Sequence, residues 1–320
     1  MSAPYFSVVV PVYNEEGNLE ELHRRLVLVL EGLGRSFELV FVDDGSRDGS
    51  YAGLERLFAR DKRVRALRFS RNFGHHLAIT AGLDAARGQA VILMDSDLED
   101  RPEAIPTLWA KLEEGYDVVY GVRRNRTHSA FKRLTSRLFV AVMNRIVDGE
   151  QELNTSIFRI ARRPVVEAVR ACREQHRFIL GLFSWVGFRQ TGIEVDHGER
   201  FAGSTKYSLS KMLRLALTTV TASSTLPLKA ASFLGTLVSA LSFLYAALLL
   251  GKKLLWDTMV EGWTSTIVAG LFLGGVQLIC LGILGEYVGR IYGEIQRRPL
   301  YVLASKLERP DAPTTEEPKE

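Results

Sequence analysis

Residues 90–97 read Ala90-Val91-Ile92-Leu93-Met94-Asp95-Ser96-Asp97, five consecutive apolar residues that stop at two carboxylates. A short apolar run bounded by turn residues reads as a strand buried on both faces, as in a parallel sheet covered by helices. The same unit recurs upstream as Phe6–Val12 (FSVVVPV), Phe37–Val42 (FELVFV) and Val64–Phe69, and downstream as Asp117–Val122 (DVVYGV). Between these runs the spacing turns helical. Leu19, Leu22, Leu26, Val29 and Leu33 share one helical face, and further helices are predicted near Tyr51–Ala59, Leu77–Ala86 and Pro102–Glu114. Gly88 is the expected C-cap of the third of these helices. Strands separated by helices predict an α/β domain with a mostly parallel, Rossmann-like sheet and right-handed crossovers.

Ligands of such sheets bind beyond the carboxyl ends of the strands. Asn14 and Glu15, Asp43 and Asp44, Asn72, Asp95 and Asp97, and Arg123 all fall at those ends. One polar strand end is an ordinary turn, whereas five on one edge predict a site. No G-x-G-x-x-G follows the first strand and no G-x-x-x-x-G-K-[ST] occurs, so dinucleotide and P-loop readings lose support. Asp95 and Asp97 repel one another unless a cation neutralises them. Hard oxygen donors suit Mg²⁺ or Mn²⁺, which also take substrate phosphate oxygens. Asp-x-Asp alone is a common solvated turn; its place after a buried strand and beside Asp43 and Asp44 favours a metal site instead. His75 and His76 are adjacent and are expected to be structural or substrate-contacting rather than metal ligands. Cations supply the complementary half. Arg123, Arg124, Arg126, Lys132 and Arg133 follow the fifth strand, and Arg200 and Lys206 flank Gly203-Ser204-Thr205. Such groups neutralise phosphate charge, or form a basic surface facing anionic lipid.

The chain has 320 residues with a net charge of +4, 47% hydrophobic and 24% charged residues, which suits a membrane surface at least as well as a nucleic acid. No nucleic-acid partner is expected. Two cysteines, Cys172 and Cys280, exclude a disulfide scaffold. The apolar content is uneven. Ala230 to Leu250 and Thr264 to Gly285 are uncharged runs of 21 and 22 residues, each long enough to cross a hydrocarbon core. They predict a transmembrane hairpin joined through residues 251–263. Lys211, Arg214 and Lys229 precede it and Arg290, Arg297 and Arg298 follow it, against Lys252 and Lys253 in the connection. The heavier basic side holds both termini, which are therefore expected in the cytoplasm. Phe6–Val12 begins too early and lacks the basic flank of a signal peptide.

These motifs together resemble glycosyltransferase family 2. The resemblance rests on Val10-Pro11-Val12-Tyr13-Asn14-Glu15, Asp43-Asp44-Gly45-Ser46, Arg71-Asn72-Phe73-Gly74 and Asp95-Ser96-Asp97. It continues through Gly121-Val122-Arg123, the stretch from Arg200 to Tyr207 and the stretch from Gly285 to Tyr292, and covers about residues 5–303. Within the family the chain resembles the polyprenyl-phosphate glycosyltransferases. The resemblance implies a GT-A fold, a nucleoside-diphosphate sugar donor with UDP-glucose the default by analogy, a divalent metal, and inversion at the anomeric carbon. It implies a polyprenyl (undecaprenyl) phosphate acceptor in a bacterial inner membrane, and a homo-oligomer. Pro11, Tyr13, Glu15 and Asp43 would then hold the nucleoside, and Asp95 and Asp97 the metal and diphosphate. Arg123, Lys132, Arg200, Ser204 and Lys206 would contact phosphates. Many relatives carry Gly-Asp-Phe-Arg, whose Asp is proposed as a base; here the stretch is Thr155-Ser156-Ile157-Phe158-Arg159, with Ile157 in that place. Glu99 stands where many relatives have Gln.

The expected organisation is a catalytic domain over 1–205, a juxtamembrane amphipathic helix over 206–228, two spans within 229–290, and a tail over 291–320 that is disordered from Lys306. Two other readings compete with a single-sugar transferase. A polysaccharide synthase usually carries Gln-x-x-Arg-Trp, which is absent here. A catalytically silent scaffold has no use for the intact carboxylate pair.

Overall fold

A computed structural model describes residues 3–123, 155–175, 177–196, 226–256 and 262–309. Residues 3–123, 155–196 and 298–309 belong to one compact unit, and the two long helices belong to a second. The first unit is built on an eight-stranded sheet of order β7-β5-β6-β4-β1-β2-β3-β8. Its strands are β1 Phe6–Val12, β2 Phe37–Asp43, β3 Val64–Phe69, β4 Ala90–Leu93, β5 Val118–Arg123, β6 Thr155–Arg162, β7 Gln190–Val195 and β8 Leu303–Leu307. β1 pairs in parallel with β2 and β4, β2 with β3, and β5 with β7. β6 lies antiparallel between β4 and β5, and β8 runs antiparallel along β3.

The helices of this unit are α1 Leu19–Gly32, α2 Ser50–Arg60, α3 His75–Ala85, α4 Ile105–Glu113, α5 Arg163–Ala171 and α6 Ile179–Trp185. A 3₁₀ turn, Pro102–Ala104, precedes α4. Leu22, Leu26, Leu54, Leu57 and Leu108 pack with Val8, Val10 and Phe41 in one apolar layer. Ile79, Leu83, Val165, Val166, Ile179 and Phe183 pack with Val9, Val40 and Val91 in the other. Both faces are therefore covered, which is why β1 and β2 are buried along their whole length.

The five runs seen in the sequence are strands, as expected, but β4 and β5 are not neighbours. β6 separates them, and its N-terminal end, antiparallel to β4, reaches the same edge as the carboxyl end of β4. Gly88 does not cap α3, whose C-cap is Ala86. A Cβ on Gly88 would lie 2.6 Å from the Ser7 nitrogen, so the glycine is there for close approach to β1. Lys306 and Leu307, expected in a disordered tail, are part of β8.

The amino ends of the strands carry a buried polar lock. Glu38 accepts from Ser7 Oγ at 2.6 Å and from Arg65 Nη1 at 2.7 Å, and Arg65 Nη2 reaches Glu308 at 2.5 Å. Arg65 and Glu38 are buried, so each neutralises a charge the other leaves. A second brace joins α1 to the end of α2. Asp61 accepts from His23 Nε2 at 3.0 Å, from the Arg63 backbone N–H at 2.9 Å and from Arg63 Nε at 2.9 Å.

Burial alone would raise the Asp61 carboxyl, but the Arg63 and His23 hydrogen bonds outweigh it and hold the pKa at about 2, against 3.8 for an ordinary Asp. A depressed carboxyl stabilises the fold above its unfolded pKa and loses that contribution as pH falls through its folded one. Asp61→Asn is thus expected to cost about 2 kcal/mol at pH 7, a difference that shrinks below pH 4 and closes near pH 2. Thermal unfolding of the two proteins across that range checks it; a gap that does not change with pH contradicts it.

The second unit holds α7 Leu226–Trp256 and α8 Trp263–Ile295, of 31 and 33 residues. Cys280 Sγ lies 3.7 Å from the Ala231 carbonyl oxygen, so the two helices touch. Val268–Ile295 is long and apolar enough to cross a membrane, and Ala231–Tyr245 is a shorter apolar stretch. Phe233, Phe243, Leu278 and Ile279 point outward with more than 60% of their surface exposed. The expected helix at 206–228 falls outside the described residues up to position 225.

Candidate active site

The carboxyl ends of β1, β2 and β4 end in loops that are tied to one another. Asp43 closes β2 opposite Val12 of β1 and Arg68 of β3. Its side chain is fully buried; Oδ1 accepts from the Ser46 N–H at 3.1 Å, while Arg68 Nε stands 3.5 Å from Oδ2. Oδ2 makes no hydrogen bond among the described residues. A buried carboxylate oxygen in that state costs free energy unless a ligand donor meets it. Arg68 also lies over the Tyr51 ring at 4.3 Å, and the Tyr51 hydroxyl meets Ser305 Oγ of β8 at 2.6 Å.

Asp44, the next residue, does different work. Its Oδ1 accepts from the Phe73 N–H at 2.7 Å and its Oδ2 from the Gly74 N–H at 3.0 Å, pinning the loop after β3. Burial raises the Asp44 pKa, partly offset by those two bonds. Gly45 at φ +69° completes the contact, since a Cβ there would fall 2.6 Å from the Arg71 carbonyl carbon.

The loop after β1 is fixed the same way. Asn14 takes φ 56°; its N–H donates to Ser46 Oγ at 3.0 Å and its Oδ1 accepts from the Arg47 N–H at 2.9 Å. The Glu15 N–H donates to Ser50 Oγ, and the Glu15 carboxylate accepts from Asn18 Nδ2 at 2.6 Å. Pairing with β4 ends at Val9 and Leu93, so Pro11 stands past the ladder, where its missing N–H costs nothing. Tyr13 keeps 43% of its surface exposed above this edge.

Asp95 and Asp97 follow β4 directly. His75, at the start of α3, brings Nε2 to 3.4 Å from Asp95 Oδ1. Burial, and then the His76 ring, lower the His75 pKa, so the ring stays neutral at pH 7 despite the carboxylate beside it. Asp97 Oδ1 accepts from the Glu99 N–H at 3.1 Å, and Leu98 between them takes φ 62°. A non-glycine residue held there stores strain of about 1 kcal/mol or more, as loops at sites do. Asp100 turns inward and accepts from Ser156 Oγ at 3.0 Å, which ties this loop to β6. Arg123 ends β5 on the same edge. Lys132, Arg200, Ser204 and Lys206 lie outside the described residues.

The structure thus places Pro11, Tyr13, Glu15, Asp43, Asp95, Asp97 and the Arg123 position along the carboxyl edge of one sheet. Sequence reasoning missed Ser46, Ser50 and Asp100 as braces and the place of His75 beside Asp95. Each lies in a loop or at a helix start a few residues beyond a strand end, a position that does not say which partner it meets.

Residues 7–170 match the model of glycosyl transferase family 2. The chain belongs to this glycosyltransferase family. An uncharacterized glycosyltransferase of Bacillus subtilis, YkcC, is 44% identical over 93% of this chain and 93% of its own length. The bactoprenol glucosyl transferase of Shigella phage SfII is 40% identical over 93% and 96%. The undecaprenyl-phosphate 4-deoxy-4-formamido-L-arabinose transferase of Pseudomonas paraeruginosa is 41% identical over 93% and 88%. Among solved structures, glucosyl-3-phosphoglycerate synthase of Mycobacterium tuberculosis, with Mn²⁺, UDP and phosphoglyceric acid, superposes with a TM-score of 0.50. It is 20% identical, covering 68% of this chain and 76% of its own. That likeness establishes the GT-A fold of this glycosyltransferase, a Rossmann-like and mostly parallel sheet.

Proposed function

We propose that the protein transfers one sugar, with inversion, from a nucleoside-diphosphate sugar to a polyprenyl phosphate at the cytoplasmic face of a bacterial inner membrane. The observation that carries the donor half is the sheet edge that holds both the buried Asp43 oxygen and the Asp95/Asp97 pair. Relatives whose names specify bactoprenol and undecaprenyl phosphate, similar over nearly their full length, support the acceptor half.

Asp43 would accept from the base, with Pro11, Tyr13 and Glu15 lining the nucleoside. Among the described residues no group of three or more His, Cys, Asp or Glu is placed to hold an ion. That donor set fits Mg²⁺ or Mn²⁺ completed by substrate phosphate oxygens rather than a protein-built centre. Asp95 and Asp97 would hold the ion, which when bound supplies Lewis-acid stabilisation of the leaving diphosphate. A phosphate monoester has a second pKa near 6 and is largely dianionic at neutral pH, so the acceptor needs no general base. Ile157 at the place of a proposed base is consistent with that chemistry. The chain's task is to position the phosphate and to screen its charge, with Arg123, Lys132, Arg200, Ser204 and Lys206. UDP-glucose is the default donor.

The membrane reading gains support from chain parity. β8 follows α8 and pairs with β3, so the chain on either side of the long helices lies on one side of any bilayer. If α8 crosses, a second crossing must return the chain, and α7 is the other described helix of sufficient length. Lipid then covers the outward-facing Phe and Leu side chains. Reporter fusions at Met1 and Glu320 are expected to give cytoplasmic signals together; a periplasmic signal from either end defeats the hairpin.

The deciding experiment incubates purified full-length protein with a panel of labelled nucleotide sugars and undecaprenyl phosphate. A mono-glycosylated lipid is expected; a polymer makes the protein a synthase, and no product makes it a scaffold. Arg200→Ala and Lys206→Ala should each raise the apparent KM for the lipid phosphate by about 10- to 150-fold, the worth of a charge-assisted contact. A tenfold rise for the donor with the lipid value unmoved would assign that loop to the diphosphate.

A further inference from the structure

Arg159 is a buried cation that the mechanism above does not use. It sits in β6 opposite Leu93 of β4 and Tyr120 of β5, and only 2% of its surface is exposed. Phe158 and Ile160 join one apolar layer, while Ile157 and Ala161 pack against the other. By strand alternation the Arg159 side chain shares its face with Ile157. Its guanidinium lies 4.8 Å from the centre of the Phe183 ring. Nε donates to the Ile157 carbonyl at 3.2 Å and Nη2 to the Ser156 carbonyl at 3.1 Å.

Among the described residues no carboxylate pairs with Arg159, and Nη1 donates to none of them. Burial pulls the pKa down to about 10, which still leaves the group charged at neutral pH. Arginine is almost never fully buried unless paired, because an uncompensated buried charge costs several kcal/mol. Arg65, the other buried arginine at a strand, shows the ordinary solution, with Glu38 and Glu308 against it. Among the described residues Arg159 has no such partner.

Both of its hydrogen bonds draw the guanidinium toward residues 156 and 157. That end of β6 lies at the edge where β4 delivers Asp95 and Asp97, and Ser156 is itself bonded to Asp100 of the same loop. We propose that Arg159 is an anion-binding residue of the active site, its missing counter-charge supplied by a substrate phosphate group. The inference rests on the transferase reading above. Either the donor diphosphate or the lipid phosphate has the required chemistry. Ile157 contributes by absence. A carboxylate at 157 would stand about 7 Å along the same face, within reach of the guanidinium, and would cancel the charge the ligand needs.

The test uses full-length protein in detergent, with UDP binding by calorimetry, kinetics with undecaprenyl phosphate, and thermal unfolding. Arg159→Gln is expected to weaken one phosphate ligand by about 10- to 150-fold. Arg159→Lys should recover part of that loss. A rise in the UDP Kd assigns the residue to the donor, and a rise in the lipid KM alone assigns it to the acceptor. Ile157→Asp should weaken the same ligand while holding or raising the melting temperature, since it gives the buried cation a partner. The proposal is overturned if Arg159→Gln folds and leaves both constants within twofold of the parent. It is equally overturned if Ile157→Asp leaves both constants unchanged, whether or not kcat rises; that outcome carries the decision if Arg159→Gln does not fold. Should the parent itself bind no UDP or other nucleoside diphosphate, the transferase reading fails first, and this inference with it.

Discussion

Asp97→Asn, and separately Asp95→Asn, is expected to abolish sugar transfer while expression and membrane insertion stay at parental levels. The amide keeps the shape of the carboxylate, and its oxygen can still accept from the Glu99 N–H that Asp97 Oδ1 now holds at 3.1 Å. The loop after β4 should therefore keep its course, including the left-handed Leu98. What the substitution removes is charge. On the proposed role of the pair, losing a carboxylate contact to an ion that would neutralise the leaving diphosphate is worth about 3 kcal/mol or more of transition-state stabilisation, a fall of at least about 100-fold. Asp95→Asn also removes the anion beside the His75 ring. Initial rates at saturating Mn²⁺, with far-ultraviolet circular dichroism as the fold control, decide the matter. Turnover within a fewfold of the parent in both variants would make the pair an ordinary turn.

A stop codon in place of Leu300 is expected to leave no stable catalytic domain, although both long helices and every candidate site residue remain encoded. Removing β8 uncovers the edge of β3 from Ala66 to Phe69. It takes away the Tyr301 ring stacked on Phe69 at 5.1 Å and the Tyr301 hydroxyl bonded to Asp84 at 2.9 Å. It strips Glu308 from Arg65 and Arg87, and Arg309 from the end of α2. An open strand edge is also a template for pairing with other chains. Against a total stability of about 5–15 kcal/mol, losses of this kind are of the same order as the whole. The milder Glu308→Gln, which keeps the strand but removes the charge facing Arg65 and Arg87, should cost about 1–3 kcal/mol. Membrane protein levels and melting temperatures report both. A truncated protein that accumulates and melts like the parent would show β8 to be dispensable.

The reach of the sequence differs from strand to strand. β1, β2, β4 and β5 were legible because each is a largely apolar run bounded by turn formers, and β3, which carries Arg65 and Arg68, because Val64, Ala66, Leu67 and Phe69 keep most of it apolar. β6, β7 and β8 were not. Thr155–Arg162 contains two arginines, Gln190–Val195 mixes polar with apolar residues, and Leu303–Leu307 is short and half polar. What makes these segments strands is the edge each one meets, and that edge comes from residues far away in the chain. The same holds at the site. Asp43 and Asp44 are indistinguishable as letters, yet one keeps a buried oxygen beside Arg68 and the other is consumed in holding the loop after β3.

Composition and local pattern by themselves determined a doubly covered α/β domain, a carboxylate pair delivered by a buried strand, and a pair of long apolar helices. These follow from short-range rules of side-chain period and of what a turn or a hydrocarbon layer tolerates. Only the tertiary structure decided that β6 enters the sheet backwards between β4 and β5. Only it showed that the chain beyond the last long helix returns to close the edge of β3, and that Arg159 is buried with no counter-charge among the described residues. Each of these depends on which distant residues meet, and a pairing such as Leu93 with Arg159 or Ala66 with Leu307 leaves no mark on the spacing of either partner.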